Sequence, residues 1–363
     1  MGKHSKSKPN NNNEQNPQSN NNFERKTNNS FVWIICSIGI FVVLFSLISV
    51  VFPGLIISIV DTNLFGNAYE IGALGIPFLI VNILIFSLIV LGIKQRLPNT
   101  FANAMQRILS FDLSKKNSFV ILIIILSVYV AITSNELSIY ELNQYGDFLV
   151  LEKAVNVWPE QESENKYLAE QLDRHVRMLL LVASEEIFHN IKVIPYLASI
   201  FLLITTYFLT VKLSEKNFTG LIAVILILQS STFYVYDTIA VYENFWVLFY
   251  VFSIYLIFKK PKFSSIFFIL SIFSKAIFVL WLPISILVTL LSDIPRNKKI
   301  FVISTHIIAI IISLIIFQYS DTVYGNVINI EVSEFWIGFT TLASNLRFDI
   351  LLLLLLLPVS VGL

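Results

Sequence analysis

Long blocks of apolar residues dominate the chain, and polar residues are mostly confined to the segments between these blocks. A helix needs about 20 predominantly apolar residues to cross the hydrocarbon core of a bilayer. The pattern therefore predicts an all-α polytopic membrane protein with about ten transmembrane helices. The apolar blocks lie near residues 31–58, 71–93, 118–133, 192–211, 218–236, 241–258, 264–291, 300–317 and 348–363.

The composition narrows the class of protein further. Of the 363 residues, 56% are hydrophobic and 13% are charged, whereas a typical soluble domain carries about 25% charged residues. This low charge excludes an ordinary globular enzyme and a nucleic-acid binder. Cys36 is the only cysteine, so an internal disulfide is excluded. With one cysteine and four histidines, a structural zinc site is not expected.

Changes in composition divide the chain into five segments. Residues 1–30 include ten asparagines and little apolar surface, which predicts disorder. The next block is about twice as long as a signal-peptide core, which predicts a membrane anchor. The chain ends inside an apolar run, so we expect a last helix that is cut short. The segments are a disordered cytoplasmic tail (1–30), a two-helix membrane segment (31–93), a cytoplasmic amphipathic linker (94–117), a membrane core (118–317) with an external loop (134–191), and an external loop with the last helix (318–363).

Lysine and arginine concentrate in alternate polar segments, as the positive-inside rule expects of a cytoplasmic face. With the tail inside, the inner segments carry a net charge of +13 and the outer segments −12. The inner segments also hold 18 of the 25 lysines and arginines. The distribution predicts a cytoplasmic N-terminus in a multi-pass protein of the cell membrane. The abundance of Asn, Ile and Lys is typical of an AT-rich prokaryotic genome, archaeal or bacterial.

One apolar block, 264–291, does not fit a single crossing. Basic clusters lie on both sides of it, at 259–262 and 296–299, and one crossing would place the second cluster outside. The block is 28 residues long, with Lys275 near its middle. We therefore predict two short helices that meet at Lys275 on the outer side. The first is too short to span alone, so it has to be packed in protein or in thinned bilayer.

The longest polar stretch is the predicted external loop 134–191. Its second half carries apolar residues at every third or fourth position, which predicts a helix with one apolar stripe. Such a helix would lie along the outer membrane surface. Arg174 and Arg177 would lie on its polar side, with His175 between them. The stripe consists of Leu168, Leu172, Val176, Leu180, Ala183, Ile187 and Ile191.

Five further charged residues gather on the predicted outer side. Glu141 and Asp147 lie beside aromatic residues and a glycine, where they could hold a sugar or simply belong to a solvated acidic loop. Asp237, Glu243 and Lys275 lie at turns between apolar helices. A charge near the membrane centre costs at least about 2.5–3.5 kcal/mol and usually faces a cavity or a partner. The alternatives are a structural ion pair, or a lysine that snorkels to the interface.

Three stretches of the core follow one another in a particular order. Residues 174–190 form the predicted surface helix, and residues 228–246 place aromatic and polar residues at a turn before a helix that opens with an acid. Residues 269–283 form the predicted short helices around a lysine. Their order and spacing resemble the GT-C superfamily of membrane glycosyltransferases, of the protein O-mannosyltransferase and aminoarabinose-transferase type. The resemblance covers residues 118–317, but the acidic doublet common in that family is absent.

The resemblance implies an activity and a catalytic residue. Members of this family move a sugar, here hexose- or mannose-like, from a polyprenyl-phosphate-linked donor to a protein or glycolipid acceptor on the outer face of the membrane. They carry their catalytic acid soon after the first helix of the core, which points to Asp147 as general base, with Glu141 as the alternate. Direct attack would invert the anomeric centre.

The same resemblance implies roles for the remaining charged residues. Lys275, with Arg174 or Arg177, would neutralise the phosphate that leaves, and His175 belongs to the same substrate-binding set. Two carboxylates, Asp237 and Glu243, would orient sugar hydroxyls or hold a divalent cation. The lipid tail of the donor would lie against the aromatic-rich helices.

A non-catalytic membrane component is the alternative hypothesis. It would be a degenerate relative with the same fold, or a subunit of a cell-envelope complex. The missing acidic doublet and the apolar C-terminal end favour it. A transporter is less favoured, since the sequence shows no inverted repeat and no pair of Gly/Pro-broken helices.

Overall fold

The computed structural model describes residues 75–94, 96, 98–143, 145–159, 174–275, 279 and 281–319, with scattered positions between 37 and 71. The predicted tail, most of the first membrane block and the C-terminal apolar run lie outside the described residues. So do Leu168 and Leu172 of the predicted stripe.

The described residues form helices and no strand, so the predicted all-α class is confirmed. Two short 3₁₀ helices, Ser134–Ser138 and Glu141–Asn143, follow the third α-helix. The α-helices are α1 (Gly75–Ile93), α2 (Asn99–Ser110), α3 (Lys115–Thr133), α4 (Phe148–Val157), α5 (His175–Phe188), α6 (Val193–Ser214), α7 (Asn217–Leu228), α8 (Ser231–Tyr236), α9 (Phe245–Lys259), α10 (Pro261–Ser274), α11 (Leu282–Leu291) and α12 (Arg296–Tyr319).

Four of these helices, α1, α3, α6 and α12, are long and apolar enough to cross a membrane. Another four, α7, α9, α10 and α11, are apolar but have only 10–17 residues. A helix of this length is shorter than the hydrocarbon core of a typical bilayer. The described part of the chain thus combines full-length spans with short apolar helices packed between them.

Local sequence fixes several helix boundaries. The Ser114 hydroxyl accepts a hydrogen bond from the backbone N–H of Asn117 at 3.3 Å and caps α3. Ser230 caps α8 in the same way, through the N–H of Phe233. Pro261 and Pro283 lie in the first turns of α10 and α11, where a missing N–H costs no helical hydrogen bond.

The short helices are packed by three apolar clusters. One cluster joins α3, α6, α7 and α8, and a second joins α9, α10, α11 and α12. The third lies between α4, α5, α6 and the turn that leads into α9. The central contacts run from α7 through α6 and α9 to α10 and then α12. This arrangement gives each short helix protein neighbours.

A glycine permits a close helix crossing in the core. A Cβ atom at Gly220 on α7 would lie 2.6 Å from Val211 Cγ2 and 2.8 Å from Tyr207 Cδ2 on α6. Ordinary Cβ contacts are longer than this, so a larger residue would force the side chains of Val211 and Tyr207, or the helices that carry them, to shift. Beside the crossing, the hydroxyls of Ser118 and Tyr207 form a buried hydrogen bond of 2.8 Å that ties α3 to the pair.

The predicted break at Lys275 is confirmed. Helix α10 ends at Ser274, Lys275 forms its C-terminal cap in an extended conformation, and α11 begins at Leu282. The apolar block 264–291, whose flanking basic clusters were incompatible with a single crossing, is therefore occupied by two short helices.

The predicted position of Arg177 on the polar side of α5 is wrong. Ile187 is 65% exposed, and Val176, Leu180 and Ala183 are only half-buried. Arg177 was expected on the polar side, yet it lies on the buried face together with polar Ser184, where each finds partners. The Ser184 hydroxyl donates to the carbonyl of Asn190 and accepts from the N–H of Ile194. Apolar spacing alone could not reveal these contacts. The buried face consists of Arg177, Met178, Leu181 and Ser184.

Candidate functional site

A tight turn of residues 237–244 connects α8 to α9 and forms the centre of the candidate site. Most of its residues are buried, including the charged residues Asp237 and Glu243 at its two ends. Buried backbone groups must be paired, and a turn cannot pair them internally as a helix does. Side chains from distant parts of the chain therefore hold this segment, called here the 237–244 turn.

Glu141 holds the 237–244 turn through its backbone N–H groups. Its two carboxylate oxygens accept hydrogen bonds from Ala240 N at 2.6 Å and Val241 N at 3.2 Å. Glu141 is 1% exposed. Burial raises the pKa of Glu141, and the two backbone donors and the charges of Lys192 and Arg177 oppose that rise. Both oxygens are thus engaged by the turn, which makes Glu141 a positioning residue.

Arg177 holds the same turn through its carbonyl groups. The Nη2 atom donates to the carbonyl oxygens of Ala240 at 3.2 Å and Val241 at 2.9 Å. The Nε atom donates to Glu243 Oε2 at 2.7 Å, in an ion pair whose side chains are 1% and 5% exposed. Burial raises the pKa of Glu243, whereas the charges of Arg177 and Arg174 lower it. Glu141 and Arg177 together pair the N–H and C=O groups of the same two residues.

Asp237 begins the turn and is the least satisfied carboxylate in it. Its Oδ2 accepts a hydrogen bond from the Tyr129 hydroxyl at 2.7 Å. Its Oδ1 is buried and has no hydrogen-bond partner. Burial, together with the negative charge of Glu136, raises the pKa of Asp237 to about 6, against the Tyr129 hydrogen bond. Asp237 therefore takes up a proton at a pH where most carboxylates stay ionised.

Asp237→Asn is expected to flatten the pH dependence of stability. Because folding raises the pKa of Asp237 from about 3.8 to about 6, its favourable contribution is complete below the unfolded value and is lost as the pH rises through 6. The variant should be more stable than wild type at pH 7.5, by about 2–3 kcal/mol at one unit of pKa per 1.36 kcal/mol. Melting temperatures in one detergent from pH 4 to 8 measure this. Glu186→Gln, an exposed carboxylate on α5, should keep the wild-type profile; an unchanged profile in Asp237→Asn would contradict the assignment.

Lys192 and Glu136 are part of this site, although the sequence analysis did not select them. The Lys192 ammonium donates to the carbonyls of Glu136 at 2.5 Å and Ile139 at 3.1 Å. Burial lowers the pKa of Lys192, and the negative charges of Glu141, Glu136 and Asp237 oppose that shift. The Glu136 carboxylate accepts a hydrogen bond from Thr238 at 2.9 Å. In the sequence, the signal that could have identified Lys192 was a lysine at the border of an apolar block, next to acidic segments.

Asp147 differs from these carboxylates because it is exposed. It caps α4 without a side-chain hydrogen bond to that helix. The pKa of Tyr242 on the turn is raised chiefly by burial and then by the negative charge of Asp147. The Tyr242 ring packs edge-on against Tyr145 at 5.4 Å and Tyr236 at 5.5 Å between centroids. An accessible carboxylate thus lies beside a cluster of three tyrosines.

Lys275 approaches the turn from the other direction. Its Nζ lies 4.9 Å from the centroid of the Trp246 ring, in cation–π geometry. Burial lowers the pKa of Lys275, the charge of Glu243 raises it, and the charges of Arg174 and Arg177 lower it further. Among the described residues, this ammonium forms no salt bridge and no hydrogen bond. The charge of Glu243 thus interacts with three cations: Arg177 in direct contact, and Arg174 and Lys275 through their charges.

The structure thus brings most of the predicted site residues around one turn. Glu141, Arg177, Asp237 and Glu243 build the turn, while Asp147 and Lys275 flank it. His175 and Arg174 lie at the N-terminal end of α5 and are half-buried. Within the described ranges, no three His, Cys, Asp or Glu side chains form a group that could hold a metal ion.

Comparison with known proteins adds no family assignment. No protein-family model, no curated protein and no solved structure matches the chain.

Proposed function

We propose that the protein is a membrane glycosyltransferase that moves a hexose from a polyprenyl-phosphate-linked donor to a protein or glycolipid acceptor. One observation carries the proposal. Two neighbouring residues of the 237–244 turn lie next to groups of opposite charge. Tyr242 lies beside the negative, exposed carboxylate of Asp147, whereas Glu243 interacts with the positive charges of Arg174, Arg177 and Lys275. Sugar transfer from a lipid phosphate needs a base for the acceptor and cations for the departing phosphate, on opposite sides of the anomeric carbon.

The proposed reaction is a single displacement. The acceptor hydroxyl oxygen attacks the anomeric carbon while its proton passes to the Asp147 carboxylate. The bond between the anomeric carbon and the phosphate oxygen breaks, and its electron pair leaves with the polyprenyl phosphate. Attack from the face opposite the phosphate inverts the anomeric centre. The tyrosines around Tyr242 offer an aromatic surface next to the base, as aromatic side chains commonly do in ligand sites.

Lys275 would receive the charge that develops on the phosphate. Its partial burial beside Trp246 makes its charge more effective than that of a solvated lysine. Arg174 belongs to the same cationic group. Arg177 and Glu243 act differently, because their direct contact and the two turn carbonyls already occupy them. They are positioning residues that fix the shape of the turn.

The proposal includes the topology. The eight described apolar helices support a count of about ten transmembrane helices, and the distribution of lysine and arginine supports a cytoplasmic N-terminus. In this arrangement the 237–244 turn, the 134–191 loop and Lys275 lie on the outer face, and α5 lies along the membrane surface. A multi-pass protein of a prokaryotic cell membrane would meet polyprenyl-linked sugars on that face.

Lys275→Gln is expected to weaken binding of the donor. Loss of one partly buried cation from a phosphate site should raise the dissociation constant of a polyprenyl-phosphate hexose about tenfold or more. Binding to protein in lipid nanodiscs, with tritiated donor, measures this. Lys153→Gln provides the matched control, because Lys153 is an exposed lysine on α4. Equal affinities of wild type and Lys275→Gln would remove Lys275 from the site.

The same measurement separates the two hypotheses on function. The carboxylates Glu141 and Glu243 are wholly engaged in holding the turn, which is also what a non-catalytic subunit would need. A wild-type protein that binds no polyprenyl phosphate at any concentration tested would favour the non-catalytic subunit over the enzyme.

A further inference from the structure

A charged cavity lies at the opposite end of the helices from the 237–244 turn. It has a volume of about 330 Å³ and lies between the beginnings of α3 and α7 and the ends of α6 and α9. Lys115, Lys212 and Lys259 line it, together with the carboxylate of Glu215. An adjoining cavity of about 420 Å³ shares Lys212 and Glu215 but adds the acid Asp293. Only the smaller cavity therefore has an excess of positive charge.

The three lysines of the smaller cavity come from three different helices. Lys115 is the first residue of α3, Lys212 lies in the last turn of α6, and Lys259 ends α9. Within the described chain, none of the three ammonium groups forms a hydrogen bond or an ion pair. Like charges brought together in this way repel one another unless an anion lies between them. The N-terminal ends of α3 and α7, which carry partial positive charge, add to the same field.

The other walls of the cavity are aromatic. Phe119 on α3 is 48% exposed, and Phe208 and Tyr255 pack with ring centroids 6.3 Å apart. These rings belong to α3, α6 and α9, of which α3 and α6 are long enough to cross a membrane. The cavity therefore lies where the membrane spans end. Its lysines lie at the helix ends, at the depth of the lipid headgroups, and its aromatic rings lie about one turn further into the hydrocarbon region. Basic pockets of this kind between membrane helices bind the phosphates of lipid headgroups.

We propose that this cavity binds an anionic membrane phospholipid. Its phosphodiester would lie between Lys115, Lys212 and Lys259, and its acyl chains would lie along Phe119 and its aromatic neighbours. The bound lipid would neutralise the three lysines and join the ends of α6 and α9. This site is independent of the proposed sugar transfer, and neither proposal depends on which side of the membrane the cavity faces.

The test uses the full chain in nanodiscs of phosphatidylcholine and phosphatidylglycerol. Native mass spectrometry counts the lipids that stay on the protein after release from the nanodisc. Wild type should retain phosphatidylglycerol in preference to phosphatidylcholine. The variant Lys115→Gln/Lys212→Gln/Lys259→Gln should lose that preference by at least about tenfold, since each lysine near a lipid phosphate adds to the attraction. The single variant Lys212→Gln should show a partial loss.

A matched triple variant controls for overall charge. Lys260→Gln/Lys262→Gln/Lys298→Gln removes the same charge from exposed lysines that do not line the cavity, and it should keep the preference. Equal losses in the two triple variants would overturn the proposal, as would equal retention of the two lipids by wild type. A third arm adds glycerol phosphate or inorganic phosphate to the nanodiscs. Displacement of the lipid by either anion at millimolar concentration would assign the site to a soluble phosphate and overturn the lipid proposal.

Discussion

Asp147→Asn is expected to lower the rate of sugar transfer by about 10²–10⁴-fold, the usual contribution of a general base. Asparagine has the same shape but cannot accept the proton of the acceptor hydroxyl. Because Asp147 is exposed and makes no capping hydrogen bond, the substitution should leave the fold intact. Initial rates of transfer from a radiolabelled polyprenyl-phosphate hexose, at equal amounts of purified protein, measure the loss.

Two controls make this expectation specific. Glu152→Gln removes a carboxylate from α4 that accepts a hydrogen bond from Tyr140 at 3.3 Å, and it should retain transfer near the wild-type rate. Donor binding to Asp147→Asn should also stay near wild type, because the base faces the acceptor. Transfer by Asp147→Asn at the full rate would exclude Asp147 as the base.

Arg177→Met should cause the largest loss of stability, about 3–5 kcal/mol, because it leaves a buried carboxylate without its partner. Glu243 would keep its burial and lose a charged donor 2.7 Å away. The carbonyls of Ala240 and Val241 would lose their donor as well. Unfolding in detergent, followed by circular dichroism, measures the change. Arg107→Met, at an exposed arginine of α2, should change stability by less than about 0.5 kcal/mol.

A double variant separates the ion pair from the turn contacts. In Arg177→Met/Glu243→Gln the buried charge is gone, so part of the loss should be recovered. The recovery should be incomplete, since the two carbonyls still lack their donor. Strict additivity of Arg177→Met and Glu243→Gln would contradict a direct interaction between the two side chains.

Features that depend on local sequence or on summed charge were predictable. The all-α class follows from the apolar blocks, and the break at Lys275 follows from basic clusters on both sides of one block. Both predictions use properties that a single segment carries by itself. The positions of Asp237 and Glu243 at the ends of one turn are likewise local, because the polar residues of the turn stand between two apolar helices.

Contacts between distant residues were not predictable in the same way. Arg177 was expected on a polar face because its partner Glu243 is 66 residues further along the chain. Glu141 was a candidate catalytic residue because nothing in its own segment showed that the backbone N–H of Ala240, 99 residues away, would occupy it. Lys192 was overlooked for the same reason. Apolar spacing identifies a helix and its apolar face. A charged residue whose partners are all supplied by distant segments can nevertheless lie on the buried face, and the spacing does not show this.

The most direct test of the proposed activity is transfer of label by the wild-type protein. Purified protein in lipid is incubated with radiolabelled polyprenyl-phosphate hexoses and with an extract of membranes from the source cell. The proposed function predicts label in protein or glycolipid, and release of polyprenyl phosphate in equal amount. Absence of transfer from every donor, in extract that supports transfer by an unrelated active glycosyltransferase, would contradict it.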